Sequence, residues 1–262
     1  MTVSIVVPAF NEARILAATL ASIRRSTAAF DARGWQHELI VCDNNSTDGT
    51  ADVARAAGAT VVFEPINQIS RARNAGAAQA TGDWLVFVDA DSHPSPELFA
   101  NVADTIAAGR CLAGGATVTL GGGEAFARGA VALWNVVSRT WRLAAGSFIF
   151  CEARAFREVG GFSLELFATE ELELFKRLKR LARARGRTIV ILHEHPLLTS
   201  DRKARLYTKR EMAGMMLKSA LTLGRAMRNR DDCYVWYDGR REGPTPTSLN
   251  PKPEARSPKP RG

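Results

Sequence analysis

Over its first hundred residues the chain alternates short apolar runs with stretches of helical periodicity. Ser4–Val7, Glu38–Cys42, Thr60–Glu64 and Trp84–Val88 are rich in Val, Ile and aromatic side chains and read as strands of a mostly parallel sheet, the first of them buried. Between them Glu12–Ser26, a short stretch from Asp48 to Ala57 and Ser70–Ala80 read as helices; Gly58 stops the second and Gly82 the third. Strand–helix–strand units of this length predict right-handed parallel crossovers, with ligands gathered beyond the carboxyl ends of the strands. Polar clusters stand at three of those ends: Pro8–Glu12, Asp43–Thr50 and Asp89–Asp91.

After Pro94 the pattern changes. Pro96–Ala108 reads as a helix, Cys111–Leu120 as a strand edged by glycines, and Glu124–Val137 as an apolar helix carrying Trp134, with Trp141 beyond it. Ser147–Cys151 and Thr188–Leu192 read as strands. A short helix ends at Gly160-Gly161, and Thr169–Arg185 is amphipathic, with Leu172, Phe175, Leu178 and Leu181 on one side. Lys203–Arg228 reads as a basic, methionine-rich amphipathic helix. From Gly243 on, six of the eleven prolines sit among Ser, Thr, Lys and Arg, which predicts a disordered tail over 243–262. No internal repeat is visible.

Composition narrows the class. With 46% hydrophobic residues in 262, the chain can build a substantial core. It has no apolar run long enough to cross a bilayer, and its N-terminus lacks the basic lead-in of a signal peptide. The four cysteines are scattered, which argues against a zinc ribbon or disulfide scaffold and for reduced thiols in a cytoplasm. Charge is divided unevenly. Residues 1–175 hold 13 basic and 19 acidic side chains, a net of −6, whereas 176–262 hold 22 and 8, a net of +14. That asymmetry fits either an anionic partner, a phosphate-bearing ligand or lipid surface, or simply a solvated helical face with a basic tail. No nucleic-acid-binding motif accompanies it, so nucleic acid is not an expected partner.

Two clusters carry candidate chemistry. In Asp89-Ala90-Asp91 the period of two puts both carboxylates on one side of an extended strand end. They repel unless a cation joins them, and a hard, oxygen-liganded Mg²⁺ or Mn²⁺ suits them; two solvated turn residues are the alternative. The loop DNNSTDGT (Asp43–Thr50) either grips a nucleoside or is a connection with a helix cap at Ser46 or Asp48.

Taken together, VVPAFNE, CDNNSTDGT and RARNAGAAQATGDWLVFVDADSHPSPELF, followed by GSFIFCEARAFREVGGF, TEELELFKRLKR and LLTSDRK, resemble the family 2 nucleotide-sugar glycosyltransferases of the GT-A fold. The resemblance covers about residues 3–205. It implies an α/β fold with a mostly parallel central sheet flanked by helices, and a catalytic domain over 1–202. Its nucleotide-binding part would be 1–94 and its acceptor-binding part 95–202, with the basic helix and its continuation over 203–242 outside. It also implies metal-dependent, inverting transfer of a sugar from a nucleoside-diphosphate sugar to an acceptor alcohol, a sugar or lipid-linked, in cell-envelope polysaccharide or glycolipid synthesis. The basic, methionine-rich helix Lys203–Arg228 would either rest on an anionic membrane surface, making a cytoplasmic protein peripheral on the inner face and bringing it to a lipid-linked acceptor, or pack its methionines on the catalytic domain or a second subunit.

By position the resemblance assigns Asp91 to the metal and Asp89, with Ala90 beside it, to the ribose and metal shell. Pro8, Ala9, Glu12, Asp43, Asn44 and Arg73 match the nucleoside pocket; many relatives carry Asp where Asn44 stands, so the base is open. Glu170-Glu171 stands where Glu-Asp is usual and makes Glu171 the expected general base with Glu170 beside it; Thr169 as N-cap of an acidic first turn is the structural alternative. His193, in an HxH pair with His195, is a further metal candidate against a plain surface histidine. Arg202 and Lys203 are candidates for the diphosphate, and Trp134 and Trp141 for an acceptor wall, against a helix start and core packing. Two other classes remain open: a sugar-phosphate nucleotidyltransferase, although PAFNEAR lacks the Gly-rich basic loop such enzymes use, and a non-catalytic nucleotide-sugar binder, suggested by Glu171 in place of Asp. Donor sugar, acceptor and oligomeric state are left undetermined.

Overall fold

The computed structural model describes residues 1–122, 125–202 and 225–237, with single positions at 206, 214, 218 and 222. Most of the helix expected over 203–228, and the tail from 243, lie outside the described residues; the last four positions of that helix, Arg225–Arg228, form a 3-10 turn.

In chain order the elements are β1 (Thr2–Ala9), α1 (Leu16–Ser26), α2 (Ala28–Asp31), β2 (Gln36–Asp43), α3 (Thr50–Ala56), β3 (Thr60–Phe63), α4 (Ile69–Gln79) and β4 (Trp84–Val88). There follow β5 (Ser92–His93), α5 (Pro96–Ala107), β6 (Cys111–Leu120), α6 (Ala125–Trp141), β7 (Phe148–Glu152), α7 (Ala153–Glu158), α8 (Glu170–Ala184), β8 (Thr188–Thr199) and α9 (Tyr234–Tyr237). One sheet runs in the order β3-β2-β1-β4-β7-β6-β8-β5. The four N-terminal βα strands pair in parallel, as do β6 and β8, while β7 runs antiparallel between β4 and β6. Strand order reverses about β1, with β2 on one side and β4 on the other. A crevice therefore opens between the carboxyl ends of β1 and β4, which carry Pro8–Glu12 and Asp89–Asp91.

Period-two alternation sorts the strand side chains onto two faces. Val3, Ile5 and Val7 of β1 and Val86 and Val88 of β4 pack with Leu16, Leu20, Ile23, Phe30 and Phe99 of α1, α2 and α5. Val6, Leu85 and Phe87 face the opposite way, against Ala77 of α4, Phe156 of α7 and Leu174, Phe175 and Leu178 of α8. Helix α4 lies close on the sheet because position 76 is glycine: a Cβ there would meet Val6 Cγ1 at 2.4 Å.

Several boundaries differ from those read in the sequence. Helix α1 begins at Leu16 rather than Glu12, whose carbonyl instead accepts from the amides of Ile15 and Leu16. Helix α6 runs to Trp141, four residues past Val137. Strand β8 continues past Leu192 to Thr199, because Leu197–Thr199 pair with Val118–Leu120 and Leu198 and Thr199 with β5. The register jumps from Ala116↔Leu192 to Val118↔Leu197, so His193–Pro196 bulge out opposite a single residue. A polar, proline-bearing stretch hides that continuation from periodicity, and Asp91-Ser92-His93-Pro94, with the look of a turn, hides β5.

Candidate active site

The loops leaving β1 and β2 are knitted to each other by the short polar side chains of the DNNSTDGT segment. Asn11, in the left-handed region at φ 52°, accepts from the Thr47 amide with Oδ1 at 2.8 Å, while its own amide donates to Ser46 Oγ at 3.0 Å. The Glu12 amide donates to Thr50 Oγ1 at 2.8 Å and the Ala13 amide to Asp48 Oδ2 at 3.1 Å. Asp43, buried, accepts from the Ser46 amide at 3.0 Å and does not line the cavity beside it. These groups shape the crevice wall. Helix α3 begins at Thr50 with Gly49 at its N-cap and no side-chain cap hydrogen bond, so neither Ser46 nor Asp48 is the cap; Asp48, one residue before it, accepts from the Thr50 amide at 2.9 Å.

Asn44 does line the cavity, and its amide spans the next loop. Nδ2 donates to the carbonyls of Ile66 at 2.7 Å and Glu64 at 3.3 Å, while Oδ1 accepts from the Gln68 amide at 2.9 Å. A carboxylate cannot donate, so Asp at this position could not hold both carbonyls. Gln68 extends the clamp by donating to the carbonyls of Leu164 and Leu166, each at 2.9 Å.

Two cavities meet at Asp89 and Asp91. One, of about 90 Å³, is bounded by Pro8, Ala9, Phe10, Glu12, Asn44, Ala90, Arg202 and Tyr237. The other, of about 250 Å³, is bounded by Arg73, Gly146, Ser147, Thr169, Glu170 and Glu171; both include the aspartate pair and Ile69. Arg73, fully buried, is the hub between them. Its guanidinium donates to Glu170 Oε1 at 2.7 Å, Asp89 Oδ1 at 2.8 Å and the Gly146 carbonyl at 2.7 Å, and stacks over the Phe162 ring at 5.2 Å. Burial opposes its charge, yet Asp89, Glu170 and Glu171 outweigh burial and hold its pKa above the usual value. Gly146 gives this approach room: a Cβ would stand a tight 3.3 Å from Arg73 Nη2 and in ordinary contact, 3.5 Å, with Glu171 Cδ.

The two adjacent glutamates are thus distinguished. Both line the second cavity, but Glu170 is the ion-pair partner of Arg73, at 2.7 Å, and this sets it apart from Glu171. Burial, and then the charge of Glu170, push the Glu171 carboxyl up to about 8, against the pull of Arg73. Thr169 occupies the N-cap position with φ 62° and makes no side-chain cap hydrogen bond. The simple capping alternative therefore does not hold. A β-branched residue in the left-handed region carries about 1–3 kcal/mol of strain and marks a backbone over-determined by its surroundings.

Arg202 sits across the first cavity, with Nη1 and Nη2 on the two Glu12 oxygens at 2.7 and 2.6 Å and Nη2 3.5 Å from Asp91 Oδ2. The guanidinium expected to hold diphosphate is here paired with a carboxylate expected in the nucleoside pocket. Lys203 lies outside the described residues. Tyr237, which carried no motif, joins the same wall: its hydroxyl accepts from the Ile69 amide at 3.3 Å and its ring meets Phe167 edge-on at 5.6 Å. No local pattern identifies it; its place depends on the 225–237 segment folding back, with the Phe167 amide donating to the Met227 carbonyl at 2.7 Å.

His193 is not brought to this site. It lies on the β8 bulge and lines a separate cavity with Arg110, Arg139 and Arg142. Neither tryptophan lines the two cavities: Trp134 packs on the core and Trp141 is exposed. Among the described residues no three His, Cys, Asp or Glu side chains converge into a metal cage. The donor set at the crevice is two hard carboxylates on a wall shared by both cavities. This fits Mg²⁺ or Mn²⁺, which take one or two carboxylates and complete their shell with water and phosphate oxygens.

Similarity to known proteins agrees with this architecture. A transferase for undecaprenyl-phosphate 4-deoxy-4-formamido-L-arabinose from Enterobacter sp. (strain 638) is 35% identical over 102 residues, 36% of this chain and 30% of that protein. An uncharacterized glycosyltransferase of Mycobacterium bovis is 40% identical over 89 residues, 34% of this chain and 36% of that protein. The chain thus matches about a third of the length of these curated relatives. Among solved structures, residues 1–349 of Staphylococcus aureus TarS superpose with a TM-score of 0.60 at 18% identity, covering 90% of this chain and 69% of that one. Glucosyl-3-phosphoglycerate synthase from Mycobacterium tuberculosis gives 0.56 at 21% identity, covering 85% and 78%. These likenesses establish the GT-A fold. Residues 4–151, more than half of the chain, match the sequence profile of the family, and the protein belongs to glycosyl transferase family 2.

Proposed function

We propose that this chain transfers a sugar from a nucleoside-diphosphate sugar to an acceptor hydroxyl, with inversion and with the help of a divalent cation. The observation that carries the reading is that Asp89 and Asp91 stand on the wall common to two cavities, one beside Pro8, Glu12 and Asn44, the other holding Glu171. The nucleoside takes the first cavity and the acceptor the second, so the sugar lies over the aspartate pair. Asp91 with Asp89 would hold the cation, which when bound would neutralise charge developing on the departing diphosphate. Arg202 exchanges Glu12 for diphosphate oxygens, to which its planar fork is suited. Glu171 accepts the acceptor's proton, its raised pKa matching a base that works near neutrality. Arg73 and Glu170 position Asp89 and the start of α8. In this reading the acceptor, seated in the second cavity, attacks from the side opposite the leaving group and the anomeric carbon is inverted.

Support for donor and metal comes from the synthase named above, whose structure holds Mn²⁺ and uridine-diphosphate-glucose. The undecaprenyl-phosphate in the Enterobacter relative's name favours a lipid-linked acceptor in cell-envelope or glycolipid synthesis, at the inner face of the membrane. No helix among the described residues is long and apolar enough to cross a bilayer.

The test is a thermal-shift screen of nucleoside diphosphates and their sugars, with and without Mn²⁺. A ligand at a hundredfold its Kd adds about 2.7 kcal/mol, several degrees for a chain of this size. One base should raise the melting point only with the metal, and Asp91→Asn should remove that metal-dependent increment. No response to any nucleotide sugar, or an unchanged response in Asp91→Asn, overturns the proposal; release of pyrophosphate instead of nucleoside diphosphate would assign a nucleotidyltransferase.

A further inference from the structure

Helix α6 is pinned to the sheet by its inner side. Asn135 Oδ1 accepts from the Val118 amide at 3.0 Å and Nδ2 donates to the Val118 carbonyl at 2.8 Å, while Val131 and Trp134 pack on the core and Ser138 is buried. Its outer side is apolar and bare. Gly129, Ala132, Leu133 and Val136 follow at spacings of three and four, hence on one stripe. Leu133 and Val136 are 66% and 62% exposed, and Trp141 at the helix end is 62% exposed.

Where this stripe ends, a basic groove begins. Two adjoining cavities, of about 560 and 530 Å³, share Arg142, Thr188 and Ile189 and are lined between them by Arg110, Arg139, Arg142, Lys179, Arg183 and Arg187. Among the described residues no Asp or Glu lines either cavity, and Arg187 is ion-paired with Glu152 at 3.4 Å. Lys179 donates to the Trp141 carbonyl, and burial together with the charges of Arg183 and Arg142 holds its pKa below the usual value. Trp141 lines one of these cavities and so stands at the junction of stripe and groove.

We propose that this face, the outer stripe of α6 with the adjoining arginine groove, rests on an anionic bilayer. Leu133, Val136 and Trp141 enter the headgroup boundary, and the groove receives lipid phosphates. An apolar stripe bordered by cations with an aromatic at the seam is the arrangement of an interfacial helix. A second copy of the chain is the poorer occupant, because a twofold contact would set the six-cation groove against itself. The chain leaves Trp141 and reaches Gly146 and Ser147 of the acceptor cavity within six residues. On the reading given above, seating this face on the membrane brings that cavity to a lipid-linked acceptor.

The experiment is flotation of the full chain with vesicles of phosphatidylcholine alone and of phosphatidylcholine mixed with phosphatidylglycerol, at low and high salt. Leu133→Glu/Val136→Glu and Arg139→Glu/Arg142→Glu are the variants. Wild type should float with the anionic vesicles only, and less at high salt, and each double variant should lower partitioning by about tenfold or more. Melting points and metal-dependent nucleotide shifts should be unchanged in both, so that loss of the membrane face and loss of the donor site are read separately. Equal flotation of variants and wild type, no flotation of wild type, or binding indifferent to lipid charge overturns the proposal. So does a dimer that Leu133→Glu/Val136→Glu converts to monomer, or stabilisation by inorganic phosphate without vesicle binding.

Discussion

Replacing Arg73 with methionine, which keeps much of the length and removes the charge, tests whether the two cavities are organised around one buried cation. The guanidinium is 1% exposed and makes three short contacts, to Glu170, Asp89 and the Gly146 carbonyl. Without it, the Glu170 side chain, 5% exposed, is left as a carboxylate with no counter-charge in contact. Breaking a buried pair from one side costs about 3–5 kcal/mol, because the remaining charge is neither hydrated nor compensated. For a chain of this size that corresponds to a melting point lower by on the order of 10 °C. Equilibrium urea unfolding of Arg73→Met, Glu170→Gln and the double variant measures it as a cycle. The amide removes the orphaned charge, so Glu170→Gln should recover about 1–2 kcal/mol in the Arg73→Met background, although it is destabilising alone. If Arg73→Met lies within about 1 kcal/mol of wild type, or the two losses simply add, the ion-pair hub is not what holds this site together.

Glu171 bears on both catalysis and stability. As a base it must be ionised, so with its pKa near 8 the transfer rate should fall as pH drops through about 8; Glu171→Gln should lose the rate and this limb, and a limb in the ordinary carboxylate range would refute the assignment. Its folded pKa lies above the unfolded value of 4.5, so the native state binds the extra proton and wild type loses stability as pH rises from about 4.5 to about 8. Melts of Glu171→Gln against wild type should therefore favour the variant increasingly across that window. Gly146→Ala places a methyl 3.3 Å from Arg73 and 3.5 Å from Glu171, and should cut turnover by at least about tenfold while moving the melting point by only a few degrees. Asn44→Asp removes the donors to the Ile66 and Glu64 carbonyls and should cost about 1–3 kcal/mol with weaker nucleotide binding, read by thermal melts with and without ligand.

The elements that were legible beforehand are those whose signal is local. The parallel strands announce themselves as apolar runs, although β3, at the sheet edge, has no buried residue, and Gly58 marks the stop of α3 where the chain turns at φ 70°. Asp89 and Asp91 do share one wall, but not by strand alternation: β4 ends at Val88, and 89–91 form a turn closed by the Ser92 amide on the Asp89 carbonyl at 3.1 Å. The polar loop after β2 was visible as a functional neighbourhood, but its side chains mostly hold the β1 and β2 loops together. His193 looked eligible because an HxH pair on a regular strand points one way; the bulge in β8 carries it elsewhere.

By itself the sequence determined most of the strands and helices and the crevice they imply, because side-chain periodicity and turn chemistry act over a few positions; the residues that border the crevice came from the family resemblance, and Tyr237 from neither. Tertiary structure alone decided which neighbouring carboxylate takes which cation. Arg73 finds Glu170 across 97 positions and Arg202 finds Glu12 across 190, pairings set by sheet order. The same long-range closure separates Glu170 from Glu171, identical in chemistry and adjacent in the chain, into an ion-pair partner and a carboxyl whose proton is held to about 8. Burial and counter-charge are properties of the packed neighbourhood, and no short pattern encodes them.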